Sequence, residues 1–203
     1  MLEVLLIRPG ATTFDIEGRI KGALDIPLSD EGLAQVETLA QDLAAKDLDV
    51  LYVAPGESAK QSAEKIAEVN SVRQKTIDCL RNLNHGLWQG KLVSEVKRLQ
   101  PRVYRQFQEN PTDVCPPDGE TVQEAINRVQ GSIARLLRKH RRGRIGIIVP
   151  EPLAAIVRSV LTGKPLGDIW QSELDFGTYE AIQFADAKPS VPQPVAAVQA
   201  SIA

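Results

Sequence analysis

A chain of 203 residues with a formal net charge of −2, 43% of it hydrophobic and 25% charged, suits one globular domain with a full core. The near-neutral balance excludes a global pull towards nucleic acid or an anionic membrane. No segment is apolar for long enough to span a bilayer, and the N-terminus lacks the basic start and small-residue cleavage site of a signal peptide. Two cysteines, Cys79 and Cys115, make neither a disulfide framework nor a zinc motif. The expectation is a reduced, cytoplasmic protein with no cofactor and no metal.

Leu2–Ile7 is apolar except for Glu3, as in a central strand covered on both faces. A glycine-punctuated connection follows from Thr13 to Leu28, too long for a mere linker, and long structured loops are commonly functional. Ser29-Asp30-Glu31-Gly32 opens a helix, with Ser29 or Asp30 as its cap and Leu33, Val36, Leu39, Ala40 and Leu43 at helical spacing.

A second strand is predicted over 49–53 and a second helix over 58–69. The stretch 76–83 reads as extended and turns out through Asn84-His85-Gly86-Leu87-Trp88-Gln89-Gly90. A helix over 93–107 is interrupted by Pro101. After a proline-rich loop comes a long amphipathic helix over 121–139, then a strand over 144–149 and a helix over 152–161. Tyr179–Phe184 is a last strand, entered through the turn Phe176-Gly177-Thr178. Strands alternating with helices predict an α/β layered fold. The domain spans 1–185. Residues 186–203 carry Lys188, Pro189, Pro192 and Pro194 among Ala, Val, Gln and Ser, and read as a flexible or extended tail.

The turn after the first strand, Arg8-Pro9-Gly10-Ala11-Thr12, resembles the Arg-His-Gly-x-Thr motif of the histidine phosphatase superfamily, the phosphoglycerate mutase-like proteins. The run from Gly18-Arg19-Ile20-Lys21-Gly22 through Asp25, Pro27, Leu28, Ser29, Gly32 and Gln35 is similar to that family's opening loop and helix. So are Ala54-Pro55, Gln61-Ser62-Ala63-Glu64, Gly86-x-Trp88-Gln89-Gly90, and Pro117-Asp118-Gly119-Glu120-Thr121 followed by Arg128-Val129. The resemblance covers nearly the whole chain before the tail and implies a three-layer α/β/α sandwich.

It also implies a catalytic set that this chain does not carry. The family reaction uses a histidine nucleophile, a cationic cup for the phosphoryl oxygens and an acid for the leaving oxygen. By the resemblance Pro9 stands at the nucleophile, Ser58 at the second pocket arginine, Asn82 at the proton donor and Glu151 at the second histidine. An amide cannot supply an acidic proton near neutral pH. Asp15 stands where the family often has an asparagine, and a carboxylate there repels phosphate; alternatively it caps a turn. Arg8 alone remains of the central set.

The pocket is therefore expected to comprise Arg8, Asp15, Ser58, Asn82 and Glu151, with Arg8 and Glu151 pairing across it. The leading expectation is an inactive relative with a binding, scaffolding or regulatory role and a protein partner. One alternative is an altered phosphate-ester hydrolase in which Arg8 binds, water replaces histidine, and Glu151 or Asp15 is the base. Another is a sensor holding an anion or small molecule near Arg8 without turnover.

Elsewhere, His85 is read as a surface or loop-capping histidine rather than a substitute nucleophile. His140, within the basic stretch Arg138–Arg144 and near Arg135, is read as solvated. The two histidines lie too far apart in sequence to suggest a metal site. Basic residues at a helix C-terminus complement its dipole, and no aromatics interleave with them, so nucleic acid is not expected while an acidic protein partner fits. Trp88 and Trp170 are read as packing residues, Cys79 as inert and Cys115 as more exposed.

Overall fold

The computed structural model describes residues 1–172 and 174–184. Its five strands are β1 (Leu2–Ile7), β2 (Val50–Val53), β3 (Gln74–Thr76), β4 (Gly143–Ile148) and β5 (Tyr179–Phe184), in the order β3-β2-β4-β1-β5. All neighbours run parallel except β5, which lies antiparallel on β1. β1 is fully buried apart from Glu3, as its continuous apolar run requires between two helical layers.

Seven α-helices connect the strands: α1 (Thr13–Ile16), α2 (Asp30–Leu43), α3 (Glu57–Asn70), α4 (Val93–Leu99), α5 (Pro101–Glu109), α6 (Val122–Lys139) and α7 (Leu153–Thr162). The crossovers through α2 and α3 step along the sheet towards β3, and those through α6 and α7 step the other way. Right-handed connections between the parallel strands therefore put α6 on the face opposite α2 and α3. Helix α7, which leads into the antiparallel β5, packs beside α6, which gives the α/β/α sandwich. Apolar faces of both layers, including Val36, Leu39 and Leu43 of α2 and Val129, Ile133 and Leu137 of α6, close over the sheet.

Helix starts follow their caps. The Ser29 hydroxyl accepts from the Gly32 amide at 3.0 Å, and Thr121 and Glu124 form a reciprocal capping box. The helical stretch predicted over 93–107 is interrupted at Pro101, which sits in the first turn of α5 after α4 ends. The stretch 76–83 differs from its extended reading. Its strand lies earlier, at β3, and a 3-10 turn at Asp78–Leu80 follows. β3 is a short polar edge, for which a hydrophobic pattern gives no signal. The tail expected over 186–203 lies outside the described residues.

This topology dictates where a site can form. The chain leaves β1 towards one helical layer and leaves the adjacent β4 towards the other. The divergence opens a crevice at the carboxyl ends of these two strands, where α/β sheets hold ligands. Arg8 follows β1 directly, and Glu151 lies three residues beyond β4.

Candidate active site

Arg8 extends β1 by one residue, its amide donating to the Thr178 carbonyl at 3.0 Å. Its guanidinium carbon lies over the Phe176 ring, 3.5 Å from the centroid, and Nη1 donates to the Leu174 carbonyl. Nε is buried and has no hydrogen-bond partner. Burial pulls the Arg8 pKa below its ordinary value, opposed by the fields of Glu151, Asp15 and Asp175.

Arg8, Pro9, Gly10, Asp15, Lys21, Pro150, Glu151 and Phe176 line a shallow, half-open recess, none of it wide enough to seat a water molecule. Gly10 is needed here by close approach rather than by dihedral angle. A Cβ at Gly10 would stand 2.2 Å from the Gly32 carbonyl oxygen, so the turn and the start of α2 touch backbone to backbone. The Gly10 amide donates to Ser62 Oγ at 3.3 Å, and that hydroxyl donates to the Ser58 carbonyl at 2.7 Å. The Ala11 amide donates to Gln35 Oε1 at 2.9 Å. The turn is held from α2 and α3 at once.

Glu151 and Arg8 are electrostatic neighbours, but a direct ion pair with Glu151 is not among the contacts of Arg8. Instead Glu151 accepts from the Ser172 hydroxyl at 2.8 Å and from the Ala155 amide at 3.1 Å. Its carboxylate thus sits at the positive end of α7, where an anion is favoured. The pairing expected from the sequence is replaced by two separate anchorages.

Asp15 caps α1 rather than facing open solvent. Oδ2 accepts from the Thr12 amide at 2.8 Å, the Thr12 hydroxyl at 2.6 Å and Lys21 Nζ at 2.8 Å. Burial alone would raise its pKa, but Lys21 and then Thr12 outweigh it and leave the carboxyl below its ordinary range. Lys21 is only 8% exposed, and sequence reasoning assigned it no role.

Asn82 is 7% exposed and nearly saturated. Nδ2 donates to the carbonyls of Gly22 and Glu151, each at 2.9 Å, and Oδ1 accepts from the Leu153 amide at 3.3 Å. Behind it Arg128 forks onto both Glu120 oxygens at 2.6 and 2.9 Å, and donates to the Cys79 and Asn82 carbonyls. Ser58 is 4% exposed and borders, with Asn82, a cleft of about 230 Å³ next to this filled recess. Gly22, Leu24, Ile26, Pro55 and Arg81 also line that cleft. The five predicted residues thus fall in two adjoining places, Arg8, Asp15 and Glu151 in one and Ser58 and Asn82 in the other.

Neither histidine enters either space. His85 is 3% exposed, so the surface reading is corrected: it stacks on Trp170 at 5.9 Å and packs against Phe107. Burial lowers its pKa to about 4. The packing roles read for Trp88 and Trp170 hold, since both belong to this cluster. His140 is half-buried rather than solvated, with Nε2 2.7 Å from the Tyr52 hydroxyl. Cys79 is half-buried and Cys115 exposed. Among the described residues no group of acidic, histidine or cysteine side chains could hold a metal ion, and no helix is long and apolar enough to cross a membrane.

A mixed sheet between helical layers, with an arginine leaving its central strand into a glycine turn, defines an α/β protein of the phosphoglycerate mutase-like class. The chain belongs to the histidine phosphatase superfamily (branch 1), whose family model matches residues 4–195. It is 28% identical over 188 residues to phosphoserine phosphatase 1 of Hydrogenobacter thermophilus, covering 93% of this chain and 89% of that one. In fold it is similar to an alpha-ribazole-5'-P phosphatase structure from Escherichia coli, with TM-score 0.77, 23% identity and 89% of each chain covered. A phosphoserine phosphatase structure from Entamoeba histolytica gives TM-score 0.79 at 22% identity, covering 94% of this chain and 95% of that one.

Proposed function

We propose that this protein is a histidine phosphatase relative that no longer transfers phosphoryl groups and acts as a binding or scaffolding protein. The observation that carries this reading is the filled recess at Arg8, lined by the chain's own cations and carboxylates and too narrow for a water molecule. A phosphoryl group needs room and unspent positive charge.

The rest of the chemistry points the same way. Covalent phosphoryl transfer needs a nucleophile with a lone pair, and Pro9 has none on its side chain. The chain has two histidines. One lies in the aromatic cluster and the other against Tyr52. Asn82, at the acid position, spends its amide on holding three segments together. The open surface left for a partner or small ligand is the adjoining cleft, with Leu24, Ile26 and Pro55 beside Ser58 and Arg81.

Hydrolysis of p-nitrophenyl phosphate by the purified protein, beside Arg8→Ala, tests this reading. Equal background rates are expected. Turnover above background that disappears with Arg8→Ala would overturn it.

A further inference from the structure

A second constellation lies at the far corner of the molecule, where α6 ends over the β3 edge and the amino end of β4. Tyr52 and Lys75 are register partners on β2 and β3, so their side chains leave the same face of the sheet. That face is the one α6 covers. The last helical residue, Lys139, brings Nζ to 3.5 Å from the Tyr52 hydroxyl and 6.0 Å from its ring centroid. His140 places Nε2 2.7 Å from the same hydroxyl, with the rings edge to face at 5.7 Å. Tyr52 is itself 2% exposed, so its hydroxyl is a fixed post for Lys139 and His140.

The surroundings are cationic. Arg73 precedes β3, and Arg138, Arg141 and Arg142 flank the end of α6, all exposed. Lys139 by hydrogen-bonding proximity and like charge, and then Arg73, lower the Lys75 pKa. The nearby acid is Asp49, whose Oδ2 is committed to the Arg144 amide at 2.9 Å and whose field reaches His140. Arg144 is drawn away by Glu3 and the Lys46 carbonyl. A helix C-terminus welcomes cations, which accounts for Arg138 and Lys139 but not for Lys75 on a separate edge strand or Arg73 just before it.

We propose that Lys75 and Lys139, seated over the buried Tyr52–His140 pair, form an oxyanion site for a phosphate-type group, independent of the crevice at Arg8. Two ammonium groups, one held at the Tyr52 hydroxyl, offer charge-assisted donors to one tetrahedral anion. Arg73 and Arg141 add charge at the rim, where a larger phosphorylated molecule would continue outward.

The test is titration of the full chain with inorganic phosphate in one arm and a phosphoserine peptide in the other, followed by amide shifts in 1H–15N spectra at about 150 mM salt. Saturable shifts are expected at Thr76, His140 and Arg141, with Lys75→Gln or Lys139→Gln weakening affinity about tenfold or more. Tighter binding of the peptide would assign the phosphate to a larger molecule, and equal binding to the free ion. Shifts confined to Gly10, Ser58 and Leu153, or affinity unchanged in both variants, would overturn the proposal. Because the readout is mapped to residues, its failure is distinct from any finding of turnover at Arg8.

Discussion

Asn82 donates its side-chain amide to the main-chain carbonyl of Glu151 at 2.9 Å across 69 positions of sequence. The same nitrogen reaches Gly22, so one amide group joins the opening loop to the turn before α7. Replacing Asn82 with Asp leaves two carbonyls facing a carboxylate and should destabilise the fold by about 2–3 kcal/mol. Urea unfolding should show a lower midpoint at an unchanged slope. An unaltered midpoint would mean the clamp is dispensable.

Lys21 and Asp15 form a buried pair whose loss is asymmetric. Lys21→Met removes the cation and leaves the carboxylate in a desolvated turn, at an expected cost of about 3 kcal/mol. The double variant Lys21→Met, Asp15→Asn should recover much of that loss, and a double-mutant cycle on unfolding free energies measures it. Because the folded Asp15 pKa lies below its unfolded value, its contribution is complete above about pH 4 and fades as pH falls through the folded pKa.

His85 gives a second window at higher pH. Its folded pKa is about 4 against 6.5 unfolded, so the unfolded chain binds the proton first. Stability should be greatest above pH 6.5 and decline down to about pH 4, by about 3 kcal/mol in total. His85→Phe, which keeps an aromatic ring against Trp170, should flatten that slope. Thermal melts across the range check both curves, and parallel slopes would show that His85 is not the titrating group.

The backbone contact between Gly10 and Gly32 tolerates no side chain. Gly32→Ala would put a Cβ 2.0 Å from the Ala11 carbonyl oxygen, with no flexible atom to move aside. A loss of about 3 kcal/mol or more is expected, at the upper end of overpacking costs. Gly131→Ala, on an α6 face with nothing near its added carbon, is the control and should be neutral or mildly stabilising.

Much of the framework was legible because local patterns coincide with burial. β1 and β5 have the predicted bounds, α2 begins at its predicted cap, and α6 covers the predicted stretch to within one residue. β3 was missed as a strand because three polar residues on an edge carry no apolar alternation. At the site, positions 8, 15, 58, 82 and 151 could be singled out by family resemblance, but their present partners could not. Phe176 under Arg8, Ser172 on Glu151 and Lys21 on Asp15 are side-chain meetings that no spacing rule encodes. The burial of His85 likewise depends on Trp170, 85 positions later, reaching back over Phe107 and Tyr104.

Arg8 ties the end of β1 to the segment entering β5 through its amide, its guanidinium and its face on Phe176. β5 is also the antiparallel rim of the sheet, with Ala181 and Gln183 open to solvent. The arginine therefore acts as a latch against peeling of that rim. Slow amide exchange along β5 should follow the integrity of the crevice, and anything that pries the crevice open would bare an unpaired flank of β1 to other chains.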